Sequence, residues 1–215
     1  MKLTRSGCVV PDTSEIKKEL TVRPIVNADF GVAPPSFKVF RKAKSGLCVP
    51  RYYAEEKFGN VVEDIRPKPE KIKISFKGKL RDETHQNEAL SKAIEAGHGI
   101  LSLPCGFGKT TVSLAIACKL GYRTMIVVHK EFLANQWKER IQQFCPGASI
   151  GIVQQNKKEV DCDFVIAMLQ SLSLKEYSFE DFDSIGTLIV DEAHHICAKV
   201  FSQSLFKLCP KHTFG

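Results

Sequence analysis

None of the eight cysteines is spaced C-x-x-C from another, and no stretch of this 215-residue chain approaches the roughly 20 apolar residues that a membrane-spanning helix needs. Met1-Lys2-Leu3-Thr4-Arg5 leads into no apolar targeting run, and there are no internal repeats or low-complexity tracts. These absences exclude a disulfide framework, a cysteine-pair zinc site and a helical membrane protein. Cys118, Cys197 and Cys209 fall inside apolar runs, where cysteine serves as a small core residue. The chain is therefore expected in a reducing, intracellular compartment.

What the chain does have is ample apolar residue for a packed core (43%), an ordinary charged fraction (26%) and a net charge of +7. The charge is unevenly placed: residues 1–80 hold 17 Lys/Arg against 9 Asp/Glu, and residues 81–215 hold 14 against 15. Seven of the ten prolines also precede residue 80. Composition thus predicts a basic accessory module over 1–80 and a second domain over 81–215.

In the second domain helices are expected over 84–96, 110–120, 131–144 and 198–208. The third is amphipathic, with Leu133, Trp137, Ile141 and Phe144 on one face, so Trp137 reads as core rather than as a base-stacking platform. Strands are expected over 99–103, 123–128, 149–153, 163–168 and 187–190, with another at the last residues. This alternation implies an α/β domain with a parallel sheet and right-handed crossovers, whose ligands bind at the carboxyl ends of strands. Residues 1–80 read instead as a small β-rich or α+β module, with short strands at 21–26, 36–40, 47–50 and 71–76 and a helical turn at 54–58. Lys71, Lys73, Lys77 and Lys79 nearly alternate through the last strand. Such a row either binds phosphates or guards a solvated sheet edge.

Two motifs carry the chemistry. Leu103-Pro104-Cys105-Gly106-Phe107-Gly108-Lys109-Thr110-Thr111 follows one apolar stretch, and Asp191-Glu192-Ala193-His194 closes another, 82 residues after Lys109. A turn rich in small residues lets successive backbone N–H groups face phosphate oxygens, and the following helix adds its positive end. Lys109 would reach the β- and γ-phosphates, and the Thr110 hydroxyl would ligate magnesium. Asp191 would hold that magnesium through water, and Glu192 would orient or deprotonate the attacking water. The pair implies ATP and Mg2+. Phe107 either covers the nucleotide or packs on a neighbouring strand. One residue departs from the strict phosphate-loop pattern: Leu103 stands where glycine is expected. His194-His195 with Cys197 would suit a metal, but the acidic pair beside them already accounts for the site.

These motifs resemble those of superfamily 2 helicases, whose loops relax the position held here by Leu103. Leu80-Arg81 with Gln86 resembles the adenine-reading element ahead of the loop, although the family spaces it more tightly. Ile126 to Trp137, including His129-Lys130-Glu131, resembles motif Ia, which tracks the nucleic-acid backbone; Met168-Leu169-Gln170-Ser171-Leu172 resembles a later strand-end motif of similar role. Within the superfamily the resemblance is to the XPB-like branch and, inside it, to transcript-release and related helicases of large double-stranded DNA viruses. Val49-Pro50-Arg51-Tyr52-Tyr53 is similar to the amino-terminal region of that viral group.

The resemblance implies a RecA-like P-loop NTPase domain with DNA or RNA as partner, working in a virion or host cytoplasm. It puts Arg81 and Gln86 near the adenine, His194 between the nucleotide site and motif III, and Lys130, Gln170 and Ser171 on nucleic acid, with Lys71 and Lys73 as further candidates. It also implies a second RecA-like domain that supplies an arginine finger. Lys211-His212-Thr213-Phe214-Gly215 looks like the strand leading into motif III. The chain is accordingly expected to be the amino-terminal part of a helicase, binding nucleotide but hydrolysing it poorly alone, because such an arginine is worth about 10³–10⁵ in rate.

Two other readings compete. A non-catalytic nucleic-acid-binding or regulatory protein would bind through residues 1–80 and use the α/β domain as a scaffold. A small-molecule kinase would carry a substrate lid after the loop, where the segment resembling motif Ia stands instead.

Overall fold

The computed structural model describes residues 1–23, 35–59, 63–194, 202–208 and 210–215. It divides into two units, Met1–Arg66 with Ser202–Cys209, and Pro67–Phe201 with Pro210–Gly215. The division therefore falls ahead of the compositional boundary near residue 80, and Ser202–Cys209 groups with the first unit.

The first unit is α+β. Strands β1 (Lys2–Thr4) and β2 (Gly7–Val10) form an antiparallel hairpin with Leu3 opposite Cys8. Helix α1 (Ser14–Glu19) follows, its first turn capped by the Thr13 hydroxyl, which accepts from Ile16 N. Strands β3 (Thr21–Val22) and β4 (Phe37–Lys38) pair with each other. Strands β5 (Arg41–Ala43) and β6 (Gly46–Val49), helix α2 (Arg51–Phe58) and strand β7 (Glu63–Asp64) complete the unit. The larger sheet runs β5-β6-β2-β1-β7 and buries Leu3, Cys8, Val10, Leu47 and Val49 against Ile16 and Ala54 from the helices. Gly7 is obligatory at the hairpin: φ is +129°, and a Cβ there would stand 2.3 Å from the Val49 carbonyl oxygen. Sequence reading missed both β1–β2 and α1, because segments this short give no measurable period. The helix expected over 198–208 is in its described part a 3-10 turn, Gln203–Lys207, and residues 198–201 lie outside the described set. Its Phe206 is buried beneath the Arg41 guanidinium, 4.6 Å from the ring centroid.

The second unit is an α/β layer. Its strands are β8 (His98–Gly99), β9 (Thr124–Val128), β10 (Ile150–Gln154), β11 (Lys157–Lys158), β12 (Phe164–Met168), β13 (Thr187–Val190) and β14 (His212–Phe214). They lie in the order β11-β10-β12-β9-β13-β14-β8, all parallel except β11. Ile126 of β9 sits level with Ile166 of β12 and Ile189 of β13. Every residue of β9, β12 and β13 is buried, as a parallel sheet covered on both faces requires.

The helices are α3 (Gln86–Ala96), α4 (Lys109–Leu120), α5 (Glu131–Phe144) and α6 (Leu169–Leu174). Helix α4 is apolar nearly all round because it serves two cores: Val112 and Ile116 pack with Ala93 and Phe214, while Leu114 and Ala117 pack with Ile126, Trp137, Ile141 and Phe164. Gly121, at φ +69°, ends it.

Three expectations are corrected here. The helix from residue 84 is broken: Asp82–Thr84 is a 3-10 turn, His85 takes a left-handed φ of 57°, and α3 starts at Gln86. The strand at 99–103 is His98–Gly99 only, continued by a Leu101 N–H bond to Gly215 O. It is an edge strand, so Ile100 is 81% exposed rather than buried. The strand at 71–76 is an extended strap with a single isolated bridge, Lys71 to Tyr122. Glu70 N bonds Ser184 O, Ile72 N bonds Gly121 O, and Lys77 N bonds Phe144 O, so the strap crosses the ends of several elements and follows none for long enough to build a ladder. Ile74 and Phe76 hold it to the core, and Phe76 stacks 5.7 Å from Phe144.

Candidate nucleotide-binding site

Strand β14 lies between β13 and β8, so the two motifs leave the sheet's carboxyl edge on either side of it. Between them is a cleft of about 280 Å3 lined by Ser102, Lys109, Ser113, Trp137, Asp191, Glu192 and His194, among others. The fold thus brings Lys109 to the acidic motif. Ser102 and Ser113 were missed by sequence reasoning; Ser113 stands one helical turn beyond Lys109, a spacing that shares its face.

The phosphate loop is shaped from behind. Arg81 donates from its guanidinium to Gly106 O at 3.1 Å and to Phe107 O at 3.0 Å. Gln86 is 2% exposed; its amide nitrogen donates to Phe107 O, and its Oε1 accepts from Arg81 N at 2.8 Å. A planar trans peptide points its N–H opposite its C=O, so holding the Phe107 carbonyl turns the Gly108 N–H the other way. Gly106 and Gly108 have φ of +76° and +90°. Gly108 is the N-cap of α4 and brings no side-chain cap, so the first N–H groups of that helix keep their capacity for an anion. Arg81 and Gln86, expected near the adenine, contact the loop backbone. Phe107 packs with Val112, Ile116 and Phe214. Pro104 and Cys105 are exposed on the turn, and Thr110 and Thr111 are half-buried in the first turn of α4.

On the acidic side, Asp191 N donates to Val127 O at 3.0 Å, extending the β13–β9 ladder by one residue. Glu192 takes a left-handed φ of 53°, a costly conformation for a side-chain-bearing residue that turns the chain sharply. Its Oε2 lies 3.5 Å from His194 Nδ1. Trp137 is buried at 3% exposure, as its helix face predicts, and it also donates from Nε1 to Asp191 Oδ2 at 2.8 Å. The signal for that bond was present in the sequence: a buried indole N–H needs an acceptor.

These residues fit a nucleotide with magnesium. Lys109 shares the cleft with the carboxylates of Asp191 and Glu192, and next to Lys109 in the chain stand the uncapped N-terminus of α4 and the positive-φ glycines Gly106 and Gly108. Among the described residues no group of three or more His, Cys, Asp or Glu side chains is placed to hold a metal.

The residues expected on nucleic acid separate. Lys130 is exposed where β9 ends, with Nζ 5.9 Å from the ring of Phe132, itself 62% exposed. Gln170 Nε2 donates to His129 O at 2.7 Å. Ser171 is 8% exposed, and its Oγ accepts from Gln155 N at 3.0 Å. Lys71 and Lys73 are exposed but lie by Gly121 and Tyr122, ahead of β9 and at the opposite edge of the sheet from Lys130 and Gln170.

Residues 49–214 match the family model described as type III restriction enzyme, res subunit. The chain belongs to this family. Over 230 residues it is 32% identical to L396, a candidate ATP-dependent RNA helicase of Acanthamoeba polyphaga mimivirus, covering all of this chain and 44% of that protein. It is 32% identical over 157 residues to the DNA 3'-5' translocase XPB2 of Sulfurisphaera tokodaii, covering 72% of this chain and 34% of that one. The chain spans about half the length of the curated viral relatives it matches. Among solved structures, the Sulfolobus solfataricus SWI2/SNF2 ATPase core in complex with dsDNA superposes at a TM-score of 0.53 with 19% identity, over 66% of this chain and 32% of that one. That likeness establishes a RecA-like fold. The family and these relatives agree with the superfamily 2 and XPB-like resemblance of the motifs.

Proposed function

We propose that this chain is the ATP-binding part of a superfamily 2 helicase or translocase acting on nucleic acid. The observation that supports this most is the meeting of Lys109 with Asp191 and Glu192 across one cleft, although the two motifs are 82 residues apart. Lys109 and the first N–H groups of α4 bind the phosphates, with Pro104 to Gly108 and Thr111 forming the rest of the cradle. Thr110 and Asp191 hold magnesium, which when bound supplies charge neutralisation on the triphosphate. Glu192 orients the attacking water, and His194, whose Nδ1 lies 3.5 Å from Glu192 Oε2, couples the nucleotide site to motif III. Arg81 and Gln86 keep the loop in its binding shape. Lys130 and Gln170, at the carboxyl ends of β9 and β12, contact the nucleic-acid backbone.

Calorimetric titration with MgATP tests the core of this reading. Lys109→Ala is expected to lower affinity by about 10–100-fold, the worth of a hydrogen bond to a charged group. Unchanged affinity would show that the site is misassigned. ATPase assays with single-stranded DNA, duplex DNA and RNA then distinguish the partner by which of them stimulates turnover.

A further inference from the structure

We infer that Trp137 is a positioning residue for Asp191, fixing the carboxylate that holds magnesium; the inference rests on the proposed nucleotide site. Trp137 is the chain's single tryptophan. Its ring is set in the core formed by Ile126, Ile141, Phe164 and Met168, so α5 and the sheet together fix the direction of its N–H. An indole nitrogen is a donor only and has one bond to give. It gives that bond, at 2.8 Å, to Oδ2 of Asp191 rather than to a core carbonyl.

Asp191 is thereby held twice. Its main chain is tied to Val127 O of β9, and one carboxylate oxygen is tied to α5. The second oxygen remains for the cleft, where Lys109 also stands. The residue that follows, Glu192, turns sharply at φ 53°, so without the indole the Asp191 side chain would sit at the start of a strained turn with no fixed rotamer. A bland alternative exists: a buried N–H takes whatever acceptor is nearest, with no consequence for the site. The two differ in what removing the N–H does to metal binding.

Trp137→Phe keeps an aromatic ring in the core and removes the donor. Calorimetry of ADP binding, with magnesium and with chelator, separates the outcomes. The expected result is that Trp137→Phe binds metal-free ADP as the native chain does, while its magnesium requirement rises about 10–100-fold, as for other residues that orient metal ligands. An unchanged magnesium requirement overturns the inference and leaves the nucleotide site standing. If the native chain binds no nucleotide under either condition, the proposed site itself fails and the inference with it. Asp191→Ala guards against misfolding of the first variant, since it retains Trp137. Its tryptophan emission should differ from native before any ligand is added, and MgADP should shift the native emission but not that of Asp191→Ala. Identical emission in the two ligand-free proteins likewise overturns the inference.

Discussion

A methyl group on Gly108 would stand 2.8 Å from Nε2 of Gln86, the side chain that holds the Phe107 carbonyl behind the phosphate loop. Residues 22 positions apart therefore share one requirement: the loop must have no side chain where the glutamine arrives.

Gly108→Ala and Gly106→Ala should for this reason differ. Both positions have positive φ, which costs about 1–2 kcal/mol for alanine. Only at Gly108 does the new Cβ meet a neighbour; Gly106 has nothing within 4 Å. Urea denaturation should find Gly108→Ala less stable than Gly106→Ala by about 1–3 kcal/mol, the usual cost of overpacking. Equal losses would show that the Gln86 contact is immaterial.

Removing the glutamine is the converse experiment. Gln86→Ala strips the Arg81 N–H of its acceptor in a site where Gln86 is 2% exposed, a loss of about 1–3 kcal/mol. Nucleotide affinity should fall with it, because the loop loses one of its two anchors. A stability loss without any affinity loss would confine Gln86 to a structural role.

Phe164 has no exposed surface and sits on β12 in the core shared by α4 and α5. Phe164→Ala should cost about 3–5 kcal/mol by chemical denaturation. A cost under about 1 kcal/mol would mean that this core collapses around the hole.

Nucleic-acid affinity should respond to the two edges of the sheet differently. Lys130→Ala is expected to reduce the slope of log affinity against log salt by about one, as loss of a phosphate contact does. The double variant Lys71→Ala/Lys73→Ala, altered at the opposite edge, should leave that slope unchanged. The reverse pattern would move the interface to the strap.

The first unit should be acid-sensitive through Asp64. Hydrogen bonds from the Arg66 side chain hold its carboxyl below the ordinary aspartate value of 3.8, with Arg66 N also donating to it. A group whose folded pKa is depressed contributes its full stability above the unfolded value and loses it as pH falls through the folded one. Asp64→Asn should therefore be less stable than native near neutrality and should flatten the fall in urea midpoint below about pH 4. Parallel pH profiles for the two proteins would remove Asp64 from the account.

The sequence by itself determined the longer and more strongly patterned elements of the second unit. Residues 131–144 have a strong helical period and Leu188-Ile189-Val190 is a continuous apolar run, so α5 and β13 were legible to the residue or nearly so. The two motifs stood out because phosphate and magnesium demand particular residue types at fixed spacing, and the expectation of a nucleotide site rests on them. Tertiary structure alone decided the rest. That β14, the last strand of the chain, separates β13 from β8 follows from non-local pairing, as does the passage of Ser202–Cys209 into the first unit. The strap over 71–80 has strand-like alternation, but its partners are the ends of elements remote in sequence. Trp137 was readable as core from its helix face; that its N–H reaches Asp191, 54 residues away, depended on how α5 docks on the sheet. Periodicity records which face of an element is buried, and only packing specifies which atoms that face meets.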